Sequence, residues 1–162
     1  MKLENLNVLP NSDAEHILRS CCGSSRWVES MMARRPFASH DMLHAAANDA
    51  WNACGEQDWL EAFAHHPRIG DRSAAGAASL EQAGMQSASS SVQQEIAVLN
   101  SAYEERFGHI YIVCATGKSA EELRDIMLHR IDNDPEAEIR NAAEEQRKIM
   151  HLRLEKLFGD ET

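Results

Sequence analysis

The residues best suited to chemistry in this chain are two histidines beside a proline, in the segment Phe63-Ala-His-His-Pro-Arg-Ile-Gly70. Histidine titrates near neutrality, so one side chain can both accept and donate a proton. We take His66 as the centre of a small-molecule active site. His65 is its immediate rival, and the two also read as surface histidines flanking a helix end. Pro67 fixes one backbone dihedral and stiffens the loop, and loops held by a rigid scaffold commonly carry binding and catalysis. Arg68 either pairs with a carboxylate or faces solvent. Glu81 and Gln82 stand out in a segment otherwise made of small residues. A carboxylate near His66 would hold its tautomer, raise its basicity or share a proton with it. An amide donates and accepts at once, which suits a ureido or amide ligand. Exposed helix positions are the plain alternative for both residues. Further on, Ile139, Ala142, Gln146, Ile149, Arg153 and Leu157 fall on one helical face. An inward Arg153 would need a carboxylate, a carbonyl or an anionic ligand. The alternative is an edge arginine whose stem lies along the stripe while its head reaches water.

Other polar clusters point to less. Gly117-Lys118-Ser119 has the ending of a phosphate-binding loop, but that motif needs a glycine where the chain has Ile112. Neither HExxH nor GxSxG occurs. Asp132, Asp134, Glu136 and Glu138 straddle a helix start without the calcium-loop pattern. A capped, solvated helix N-terminus accounts for them. Cys21, Cys22, Cys54 and Cys114 have no zinc spacing and read as small buried hydrophobes.

The elements that must position these residues are helices. Ser12-Asp-Ala-Glu15 reads as a capping box opening a first helix to about Cys22. Ser24 or Ser25 caps a short second helix that ends at Arg34-Arg35-Pro36. Ser39 caps a third, to about Ala53, and Gly55 stops it. A short helix over Glu56 to Phe63 leads into the His66 loop. Residues 71–91 are the least periodic part, either a linker or a short helix around Ser79–Gly84. From about Ser91, the residues Val92, Ile96, Leu99, Tyr103 and Phe107 mark a strong helix that Gly108 ends. Ile110-Tyr-Ile-Val-Cys-Ala115 is strand-like but alone, so an extended buried segment crossing a helical core is expected. Ser119-Ala-Glu-Glu122 opens a helix to about Ile131, and Asp134-Pro135 starts the last, to about Phe158. The expectation is an all-α fold of roughly seven or eight helices with that one extended segment.

Length and charge bound the partners. A chain of 162 residues fits one domain, 1–162. The net charge of -10 and the lack of a Lys/Arg cluster argue against nucleic acid and an anionic membrane surface. Neither a secretory h-region nor a span-length apolar stretch is visible. A reducing, soluble, cytoplasmic setting is expected.

Five blocks then add up to a resemblance over nearly the whole chain. They are Phe63-Ala-His-His-Pro-Arg-Ile-Gly70, Glu81-Gln-Ala-Gly84, Leu99-Asn-Ser-Ala-Tyr-Glu-Glu-Arg-Phe-Gly108, Asn133-Asp-Pro-Glu-Ala-Glu138 and His151-Leu-Arg-Leu-Glu-Lys-Leu157. In order and spacing the chain resembles the decarboxylases of 2-oxo-4-hydroxy-4-carboxy-5-ureidoimidazoline (OHCU), a family of urate breakdown. The resemblance implies an all-α homodimer that needs no metal or organic cofactor and converts OHCU to (S)-allantoin and carbon dioxide. By that pattern His66 is the catalytic histidine and Glu81 its acidic partner. Pro67, Ser79, Gln82 and Arg153 carry over as substrate-binding residues. Ile110, Ile112 and Val113 line the site mainly through backbone groups.

Overall fold

The computed structural model describes residues 1–71 and 77–159. Among them are nine α-helices and one 3-10 turn, with no strand. Two compact units divide the chain: residues 1–62 with 146–162, and residues 63–145.

The first unit contains α1 (Leu3–Val8), α2 (Asn11–Cys21), α3 (Ser25–Arg34), α4 (His40–Asn52) and most of α5 (Glu56–Ala64). Their apolar faces bury Leu6, Leu18, Trp27, Met31 and Leu43 completely. Trp27 Nε1 donates to the Ala47 carbonyl at 3.1 Å, so its one polar atom is satisfied inside the core. Ser24 and Ser39 cap α3 and α4 as expected, each accepting a backbone N–H three residues on. Two expectations fail here. The helix α1 has no counterpart in the sequence reading. Six residues cannot hold a helix alone; Arg35 secures this one by donating to the Leu6 and Leu9 carbonyls at 2.7 and 3.0 Å. The capping box at Ser12 is also absent. α2 already starts at Asn11 behind Pro10, and its N-terminus carries no side-chain cap.

The second unit holds α6 (Ala77–Glu81), the 3-10 turn Ala83–Ser87, α7 (Ser90–Phe107) and α8 (Ala120–Arg130). The last helix, α9 (Pro135–Phe158), begins in this unit. Ile96, Tyr103, Leu123 and Met127 form its core with Tyr111, Val113 and Ala115. Those last three alternate along residues 110–115, which lie in neither helix nor strand, as an extended segment requires. The Ser119 capping box is complete. Asp134 opens α9, its Oδ2 accepting from Glu136 N at 3.2 Å. Glu138, expected in solvent with its acidic neighbours, is instead wholly buried. Arg130 pairs with it at 2.6 Å, which is what allows a carboxylate there.

Candidate active site

The His66 loop leaves α5 with His66 N donating to the Phe63 carbonyl at 3.1 Å. His65 is exposed and His66 half-buried. Residue type and spacing do not separate these two, and they differ here in exposure: a half-buried imidazole is the better placed to meet a ligand out of bulk water. Pro67 is half-buried beside it. The loop then turns, Asp71 N donating to the Arg68 carbonyl at 3.1 Å. Gly70 sits in that turn with φ +83, a region that disfavours any side chain. Arg68 stays at the surface, bonded through Nε to both Glu104 carboxylate oxygens at 2.9 and 3.0 Å.

Two amides tie the loop down. Gln82 Oε1 accepts from Gly70 N at 2.9 Å, and Gln82 Nε2 donates to the Arg68 carbonyl at 3.4 Å. Asn100, on the inner face of α7, donates to the Ile69 carbonyl at 2.9 Å. Asn100 escaped the sequence reading. Its signal was there: a polar residue four after Ile96 on an otherwise apolar stripe.

Ser79, Gln82, Gly70, Asp71 and Met85 are among the residues around a cavity of about 210 Å³. The structure therefore brings Ser79 and Gln82 together with the loop that carries His66. Glu81 is half-buried between them in sequence. Its charge reaches Cys114, whose thiol is raised mainly by burial and, among lesser causes, by Glu145 and Glu81. Ile110 is half-buried, while Ile112 and Val113 are buried, so their side chains serve the core. Any contact they make with a ligand falls to peptide groups. Gly84 locks the Glu81 segment against the turn after residue 115. A Cβ there would lie 2.2 Å from the Lys118 carbonyl. Lys118 itself holds no phosphate loop: its Nζ donates to the Cys114 carbonyl at 2.6 Å.

Arg153 belongs to the other unit and is half-buried. Its NH1 donates to the Ser20 carbonyl at 3.1 Å. That oxygen lies in the last turn of α2, where a cation is favoured. Gln146 and Ile149 on the same face are buried, so Arg153 occupies the edge of the stripe. Among the described residues, no group of three or more His, Cys, Asp or Glu side chains could hold a metal ion.

Comparison with known proteins settles the lineage. The OHCU decarboxylase family model matches residues 7–155. The chain belongs to the OHCU decarboxylase family. It is 36% identical over 148 residues to the uric acid degradation bifunctional protein TTL of Arabidopsis thaliana, covering 86% of this chain and 46% of that protein. It is 28% identical to 2-oxo-4-hydroxy-4-carboxy-5-ureidoimidazoline decarboxylase of Haloferax volcanii, covering 99% of this chain and 98% of that one. A crystal structure of OHCU decarboxylase in the presence of (S)-allantoin superposes with a TM-score of 0.79 at 37% identity, covering 88% of this chain and 96% of that one. The chain spans less than half of the bifunctional relatives, down to 32% of one from Bacillus subtilis. The all-α architecture is that of OHCU decarboxylase.

Proposed function

We infer that the chain decarboxylates OHCU to (S)-allantoin and carbon dioxide in urate degradation, without a cofactor. One observation carries the reading. In a chain of this family, His66 stands on a loop that Gln82 and Asn100 fix, and the far end of that loop, Gly70 and Asp71, lines a small cavity with Ser79 and Gln82.

The chemistry asks little of a prosthetic group. The bond to the carboxylate breaks, carbon dioxide leaves, and the electron pair passes into the adjacent imine. The carbon that lost the carboxylate keeps its hydroxyl oxygen and becomes a carbonyl as the hydroxyl proton leaves and the imine nitrogen gains one. A proton must reach the neighbouring ureido-bearing carbon from one face, because that carbon is the chiral centre of the product. His66 donates that proton and Glu81 sets its charge state. Pro67, Ser79 and Gln82 hold the substrate, and the 110–113 segment lines it, Val113 through its peptide groups. Ile110 and Ile112, whose carbonyls already accept from side chains, complete the wall. A tight grip of Arg153 on the departing carboxylate would stabilise the ground state as much as the transition state. Its role is to hold a ring oxygen or the ureido carbonyl. A bound product analogue with every oxygen remote from Arg153 would remove it from the mechanism.

The test is stereochemical. OHCU generated enzymatically from urate decays slowly to racemic allantoin; adding the protein should accelerate the decay and give optically active product. Unchanged racemic formation rejects the reading. His66→Ala should lose about 10²–10⁴ of the acceleration while remaining folded. Exhaustive chelation should leave the rate intact. The family match through both units supports residues 1–162 as one functional domain, a cytoplasmic homodimer by the family pattern. Sedimentation at twice the chain mass is the expected result for the dimer.

A further inference from the structure

Side chains hold one edge of the 110–115 segment. The carbonyl of Ile110 accepts from His109 Nδ1 at 3.0 Å, which fixes that tautomer. The Ile112 carbonyl accepts from Arg130 NH1 at 2.8 Å, and the Cys114 carbonyl from Lys118 Nζ at 2.6 Å. Cys114 N donates to Glu145 Oε1 at 3.2 Å. Every one of these bonds lands on an even-numbered residue. In an extended chain the N–H and C=O of one residue point to one side, and those of the next to the other. None of the hydrogen bonds among the described residues uses the peptide groups of Tyr111 or Val113, which form the opposite edge.

Arg130 is the unusual member of the brace. Its residue is only 9% exposed, and burying a guanidinium is costly unless it is paired. Glu138, 0% exposed, receives its Nε at 2.6 Å. Tyr103 OH donates to the same Glu138 oxygen at 2.7 Å, and Asn133 and Asn141 donate to the other at 3.0 and 3.3 Å. The guanidinium carbon lies 4.9 Å from the centre of the Tyr111 ring. An ion pair with four donors on its carboxylate is more than packing needs, since apolar residues of the same volume stabilise as well. What apolar residues cannot do is hold the Ile112 peptide.

We propose that Arg130, oriented by Glu138, is a positioning residue that fixes the Ile112 peptide so that the Tyr111–Val113 edge stays aimed at an amide- or ureido-bearing substrate. This rests on the function proposed above. Arg130→Lys tests it. The lysine keeps the charge but has no fork with which to hold Glu138 and Ile112 together. Two readouts are needed on folded protein: kcat and KM for OHCU, and amide hydrogen exchange across the unit. The expected result is a loss of at least tenfold in kcat/KM, with exchange accelerated at residues 111–114 while the core amides of α7 keep their parental rates. A kcat/KM within twofold of the parent overturns the proposal. So does a uniform rise in exchange, which marks a purely structural role. If Arg130→Lys does not fold, Tyr103→Phe removes one donor from Glu138 and leaves the ion pair in place. It should lower kcat/KM about threefold with the same local exchange pattern, and parental values of both would overturn the proposal. Failure of the underlying function appears elsewhere, as a parent protein inert towards OHCU. The exchange readout still decides then whether Arg130 fixes the segment.

Discussion

Gln82 commits both ends of its amide to the backbone of the loop that carries His66. Under the proposed function, a substrate amide there would meet a side chain already oriented, with one oxygen lone pair and one N–H left to offer. Gln82→Glu separates the two duties. The carboxylate still accepts from Gly70 N, but it cannot donate to the Arg68 carbonyl and would face that oxygen with a charge. We expect about 1–2 kcal/mol of lost stability and a lower kcat/KM, measured by denaturant melts and steady-state kinetics on the same preparation. His65→Ala is the matching control. The residue is exposed, and its variant should stay within twofold of the parent. Inactivation by His65→Ala with an active His66→Ala would reverse the assignment of the acid.

At the level of elements, the site hangs on close backbone approach between short pieces. Gly84→Ala would push a Cβ to 2.2 Å from the Lys118 carbonyl, an oxygen with no freedom to rotate away. The expected cost is about 1–3 kcal/mol or more, read as a lowered denaturation midpoint with a parallel loss of activity. Helices with strong local signals were legible: the serine caps at Ser24, Ser39 and Ser119 all form where their spacing places them. Elements that owe their existence to distant partners were not. α1 depends on Arg35, and Glu138 depends on Arg130 and Tyr103, 8 and 35 residues away. A run of four alternating acids looks solvated until the fold brings a guanidinium to one of them. The proposed site residues stood out in the sequence by type alone, and the structure adds their burial and their bonds. Asn100, which pins the loop as firmly as Gln82, was hidden because a single polar residue barely disturbs an apolar stripe.

For the molecule as a whole, burial of neutral acids sets the response to alkali. Burial pushes the Cys22 thiol from its ordinary 9.0 up to about 12. Cys54, Cys114, Tyr103 and Tyr111 are raised too, each chiefly by burial. All five are neutral when protonated and are raised on folding. Each therefore contributes fully below its unfolded value and loses that contribution as pH climbs through the folded one. For Cys22 the window runs from 9.0 to about 12. Cys22→Ala should flatten part of the stability decline in that range, followed by denaturant midpoints at stepped pH. A slope identical to the parent's would assign the decline to the other four groups. The net charge of -10 adds self-repulsion in the same direction as more groups ionise.

The segment from 110 to 115 carries a consequence for how such a protein can change over generations. What it turns towards a neighbour is peptide groups, and every amino acid but proline brings the same ones. Codon changes there swap one side chain for another inside the core while the outward pattern of donors and acceptors is inherited unaltered. Proline at Tyr111 or Val113 is the one replacement that would delete a donor. A lineage drifting towards a different substrate would therefore leave little trace in these six residues and would record its history behind them, at His109, Arg130, Lys118 and Glu145.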